Sequence, residues 1–103
     1  MYHLIIKPRA IEMAQKAYKW YEKQRVGLGD LFLSEVENCY DRIESSPLLY
    51  AKIYKNFRQI ILRTFPYVIV FEILDDDVVI YAVFHTSRNP RRKFKKLFQD
   101  YPY

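Results

Sequence analysis

Arg58, His85 and Arg88 are the side chains best suited by type and order to catalysis. An imidazole titrates near neutral pH and can take or give a proton, and two guanidiniums can clamp a phosphate. Such a set suits acid–base chemistry beside a bound phosphate. Each residue also has a plainer use. His85 closes an apolar stretch and precedes Thr86 and Ser87, where it can simply hydrogen-bond a turn. No carboxylate or second base is spaced to work with it. Arg58 can pair with a helix carboxylate such as Glu35 or Glu37, or point into a groove.

The second chemical feature is a basic run. Residues 88–103 hold Arg88, Arg91, Arg92, Lys93, Lys95 and Lys96 against the single acid Asp100. Removing those six bases and one acid from the chain's 17 and 12 leaves 11 of each in residues 1–87. The net charge of +5 is therefore concentrated at one end. A localised patch points to a polyanion or an acidic protein partner, and the plain alternative is a solvated charged helix. Phe94, Leu97, Phe98 and Tyr101 have helical spacing, and Pro90 suits a helix start. The expectation is a basic C-terminal helix or tail. With Arg58, its six cations are the candidates for binding a target or partner.

Other chemistries find little support. Two glycines leave no glycine-rich phosphate loop. Asp75-Asp76-Asp77 reads as a solvated hairpin turn, because no histidine or further acid is spaced to complete a metal shell. No metal and no cofactor are expected. Cys39, the lone cysteine, falls on an apolar helical face and reads as a buried thiol in a reducing compartment. The apolar run at the start is too short for a signal peptide, and none approaches a membrane span, so the expected location is the cytoplasm, with no membrane partner. Of the ten tyrosines, Tyr50, Tyr54, Tyr67 and Tyr81 are able to stack bases, but packing is the commoner use of such rings.

The chain of 103 residues suits one domain, spanning 1–103. Residues 2–8 read as a strand stopped by Pro8. Ala10, Met13, Ala14, Ala17, Trp20 and Tyr21 form one stripe of a helix over about 10–25. Gly27 can take the left-handed conformation, and Asp30 can cap a second helix running through Leu31, Phe32, Val36, Cys39, Tyr40 and Ile43. The short connection makes the two an antiparallel hairpin. Beyond residue 50 the pattern becomes β-like: a short piece at 50–55, then 57–65, 67–74 and 78–85, the last two joined by the three aspartates as a hairpin. The fold class is α+β: an N-terminal strand, then a helical hairpin packed on a mainly antiparallel sheet of three to five strands. The uncovered face is expected to carry Arg58, aromatic rings and, depending on register, His85.

Several pieces in this order look familiar. Gly27-Leu28-Gly29 follows the helix bearing Trp20. Arg58 and the turn Phe65-Pro66-Tyr67 come next, and His85 precedes Arg88 and Pro90. Together they resemble the RelE/ParE superfamily of type II toxin–antitoxin toxins over roughly residues 3–96. The resemblance implies a toxin neutralised by a cognate antitoxin, as a homodimer or a toxin–antitoxin hetero-oligomer. Antitoxins of the superfamily wrap the toxin with an extended, often acidic segment. It implies one of two targets. RelE-like members cut mRNA on the ribosome, and ParE-like members poison DNA gyrase without being nucleases.

The nuclease pattern carries over only in part. Arg88 stands where such toxins keep an arginine. Phe94 falls near the place of a catalytic tyrosine, and a phenyl ring cannot exchange a proton. Val68 takes the place of another arginine, and Gln59 and Ile61 fall near expected lysines. The favoured reading is a ParE-like toxin of the plasmid-stabilisation kind. The alternatives are an endoribonuclease using His85, Arg58 and Arg88, and a degenerate member that only binds antitoxin.

Overall fold

The computed structural model describes residues 2–86. The expected C-terminal helix, with Arg88, Arg91, Arg92, Lys93, Phe94, Lys95 and Lys96, lies outside the described residues. The order is β1 (His3–Ile6), α1 (Pro8–Gln24), α2 (Leu28–Ser45), a 3-10 turn (Pro47–Leu49), β2 (Lys52–Tyr54), β3 (Phe57–Ile61), β4 (Tyr67–Leu74) and β5 (Asp77–His85). The five strands form one sheet in the order β1-β5-β4-β3-β2. All neighbours run antiparallel except β1, which pairs parallel with β5 at the edge.

Local chemistry explains the boundaries. Lys7 is extended, as a residue before proline prefers, and Pro8 sits at the first position of α1, where its missing N–H costs nothing. The N–H of Lys7 still donates to the Ile80 carbonyl at 3.0 Å, so helix entry is tied to the sheet. Gly27 is left-handed, with φ of 90°, and starts α2. Asp30 was expected to cap this helix, but it lies inside the first turn. The capping is done by Glu22 of α1, whose carboxylate accepts the N–H of Gly27 at 3.0 Å and of Gly29 at 2.9 Å. The β4–β5 connection is tighter than expected: Leu74 pairs with Asp77, leaving Asp75 and Asp76 as the loop, with Asp75 left-handed.

The hairpin of helices covers one sheet face. The buried positions of α1 are Ala10, Ala14 and Ala17, small enough to bring its backbone close to the sheet. The buried positions of α2 are larger and include Phe32, Val36, Cys39 and Ile43. They pack with Ile60, Leu62, Phe65, Ile69, Phe71, Val78, Ile80 and Val83 into the main core. Burial of each large side chain contributes roughly 1.5–3 kcal/mol. Cys39 is buried as expected, and burial pushes its thiol pKa up.

Candidate functional site

The position of His85 depends on a bulge. Val70 pairs with Ala82 and Phe71 with Ile80, so Tyr81 is an extra residue in β5. Tyr81 and Ala82 consequently both join the second cluster, on the sheet face away from the helices. Past the bulge the alternation is inverted, and Val83 falls in the helix-side core. His85, two residues on, lies opposite Tyr67 and shares its helix-side face. Their rings meet edge-on with centroids 5.2 Å apart. The chain of rings continues from Tyr67 to Phe32 at 5.0 Å and to Tyr21 at 6.1 Å. His85 is thus not on the far face where sequence had allowed it.

The turn beside it is made by its neighbour. Thr86 donates both its N–H, at 2.8 Å, and its hydroxyl, at 3.2 Å, to the carbonyl of Pro66. Pro66 is itself the centre of a tight turn in which the Tyr67 N–H reaches the Phe65 carbonyl at 2.8 Å.

Arg58 is elsewhere. It lies opposite Phe71, hence on the helix side, and donates to the backbone carbonyl of Tyr50 at 2.6 Å. Neither expected helix carboxylate holds it; Glu35 instead accepts the N–H of Thr64 at 2.7 Å. The register of β4 separates the positions of Arg58 and His85 by four residues and two strand steps. Strand geometry makes that about 13 Å along the sheet and about 10 Å across it. The two side chains do not converge on one phosphate.

The far face carries a pair that sequence reasoning missed. Glu72 is 5% exposed, and its Oε1 accepts the hydroxyl of Tyr81 at 2.9 Å. The Tyr81 ring meets Phe57 edge-on at 5.3 Å. The available signal was a single glutamate inside the otherwise apolar run 67–74. Gln59, Ile61, Val68 and Val70 share this face by register. Among the described residues, β3, β4 and β5 place no lysine or arginine on it. Its chemistry is apolar with one buried carboxylate, which repels a phosphate and welcomes a donor.

A groove of about 700 Å³ opens between α1 and the ends of β4 and β5. Its lining includes Met13, Lys16, Ala17, Trp20, Tyr21, Pro66, Tyr67 and His85. Trp20 is 57% exposed at its rim. Tyr50 and Tyr67 pack against the main core, as expected of most tyrosines, and Tyr54 is half exposed. No group of three metal-ligating side chains occurs among the described residues. No described helix is long and apolar enough to cross a membrane.

Residues 4–90 match the family model described as "ParE toxin of type II toxin-antitoxin system, parDE". A solved structure titled "Chromosomal ParDE TA system from P. aeruginosa" superimposes with a TM-score of 0.72 at 13% identity, covering 84% of this chain and 98% of that one. The isolated E. coli RelE toxin superimposes with a TM-score of 0.65 at 18% identity, covering 93% and 96%. At such identities the two likenesses speak to the fold. No curated protein sequence gives a significant match.

Proposed function

This chain belongs to the ParE toxin family of type II toxin–antitoxin systems, and from that premise we propose that it arrests bacterial growth by acting on DNA gyrase and is neutralised by a cognate antitoxin. The observation that carries the choice of target is the far face of the sheet. Cleavage of RNA there needs cations around the scissile phosphate. Gln59, Ile61 and Val68 supply none, and the buried Glu72 carboxylate opposes an anion. The spread between Arg58 and His85 adds support, since general acid–base work needs both within reach of one substrate. In this reading Arg58 and His85 serve the fold. Arg88, Arg91, Arg92, Lys93, Lys95 and Lys96 draw in an acidic surface of the target or antitoxin in the cytoplasm.

Pulse-labelling after induction of the toxin alone tests the proposal. Thymidine incorporation is expected to fail before amino-acid incorporation. The reverse order would replace gyrase with the ribosome and restore the nuclease reading with His85, Arg58 and Arg88.

A further inference from the structure

The two edges of the sheet are finished differently. β2 is three residues long, shifts register between Lys52 and Tyr54, and runs into the left-handed Lys55. Irregular pairing and exposed lysines are the usual protection of an edge against a further strand. β1 has neither: its four residues, His3 to Ile6, pair with β5 in unbroken register. The parallel ladder also fixes which backbone groups stay open. The N–H of His3 donates to the Asp76 carbonyl at 2.8 Å and that of Lys7 to the Ile80 carbonyl at 3.0 Å, so His3, Ile5 and Lys7 turn toward β5. Leu4 and Ile6 therefore turn both N–H and C=O outward, where no described strand lies. Their side chains pack on the main core, while Ile5, on the opposite face, is 41% exposed.

We propose that a second copy of this chain pairs with this edge, β1 against β1 and antiparallel, about a two-fold axis through Ile5. The occupant follows from self-complementarity. In this register Leu4 of one chain faces Ile6 of the other, and each such pair exchanges both of its outward hydrogen bonds. Ile5 then faces its own copy in a non-hydrogen-bonded pair, the closer kind, with Cα atoms about 4.5 Å apart and both side chains on one face. The charges at the ends match as well. His3 lies 3.6 Å from Asp77, and the same register sets Lys7 of the second copy opposite His3, where its long stem reaches that carboxylate. A strand of unrelated sequence would meet the same backbone groups but would not bring this match to both ends. The contact is small, so the dimer is weak and forms at high protein concentration. It joins the two five-stranded sheets into one, and it does not depend on the target of the toxin.

Sedimentation equilibrium of the full-length protein over rising concentration should show a reversible monomer–dimer equilibrium. Ile5→Lys sets like charges against each other at the axis and should weaken association by at least about tenfold at low salt. Ile5→Glu should do the same. Mixing these two variants should restore the dimer, because position 5 of each chain then meets the opposite charge. Ile5→Cys gives a check that is independent of charge. Mild oxidation should link two chains through position 5, since the Cα spacing suits a disulfide and the native Cys39 is buried. Circular dichroism of each variant controls for the fold. A monomer at every concentration, with no link through Ile5→Cys, would overturn the proposal. A dimer unchanged by Ile5→Lys would also overturn it, by placing the contact elsewhere. A chain that stays monomeric alone, and whose Ile5→Lys variant binds the product of the neighbouring open reading frame less tightly, would give the edge to that partner and overturn the second copy.

Discussion

The Glu22 carboxylate, near the end of α1, accepts the N–H of Gly29 at 2.9 Å and so closes the tip of the helical hairpin. Both residues are held there by space as well as charge. A Cβ at position 29 would lie 2.7 Å from the Tyr18 carbonyl oxygen and 2.9 Å from the Glu22 carboxylate. The first of these atoms is backbone and cannot swing away. Gly29→Ala should therefore cost more than Glu22→Ala, which loses the cap and about 1–2 kcal/mol. Denaturant unfolding of the two variants checks the order, and an undamaged Gly29→Ala protein would refute the close approach.

Tyr81 and Glu72 invite a double-mutant cycle. Tyr81→Phe leaves the buried carboxylate without its donor and should destabilise by about 1–3 kcal/mol. Glu72→Leu in the Tyr81→Phe background removes the unmet group and should recover part of that loss. The two effects must be non-additive when followed by chemical denaturation. Additivity would mean that the 2.9 Å hydrogen bond contributes nothing.

How these pairs escaped the sequence shows where its information lies. Periodicity located both α-helices and the strands of the described residues, because apolar runs and the 3.6-residue stripe are printed in residue type: Ala10, Ala14 and Ala17 for α1, the largely apolar 67–74 for β4. Gly27 was legible as left-handed for the same reason. The bulge was not, since in an apolar run such as 78–85 an extra residue leaves no mark on composition, yet it decides which face His85 occupies. The partner of Arg58 was hidden differently: a backbone carbonyl can belong to any residue, whereas residue type singles out only carboxylates such as Glu35 and Glu37. The Glu22 cap comes from the preceding helix rather than from the residue before α2, where cap rules look.

Alkaline pH should destabilise the protein. Burial pushes the Tyr40 pKa up from its ordinary 10.0 to about 12. Burial also raises Cys39 and Tyr21, the latter with a further push from Tyr67. A raised pKa means that the folded state holds its proton where the unfolded chain has lost it. Stability from these groups is complete below the unfolded pKa and falls as pH climbs through the folded one. The decline should begin near the ordinary thiol pKa of 9.0 and steepen between 10 and about 12. Tyr40→Phe should flatten the steeper part, as read from unfolding midpoints across the pH range. Tyrosinate absorbance should show the latest-ionising ring of the wild type absent from the variant.

His85 separates the two toxin mechanisms with one substitution. Its ring meets the edge of Tyr67 at 5.2 Å, and the bond that holds the strand end to Pro66 is made by Thr86. Removing the imidazole costs an aromatic contact of roughly 0.5–1.5 kcal/mol and leaves the turn intact. A gyrase-directed toxin has no use for its proton, so induction of His85→Ala should arrest growth as the wild type does. General acid–base catalysis is typically responsible for 10²- to 10⁴-fold of a rate, roughly the loss expected if the imidazole were the acid or base. Growth after induction, with circular dichroism as the fold control, therefore distinguishes a packing ring from a catalytic one. Loss of toxicity in a well-folded His85→Ala protein would make the groove beside Tyr67 an active site and return Arg88 to the phosphate.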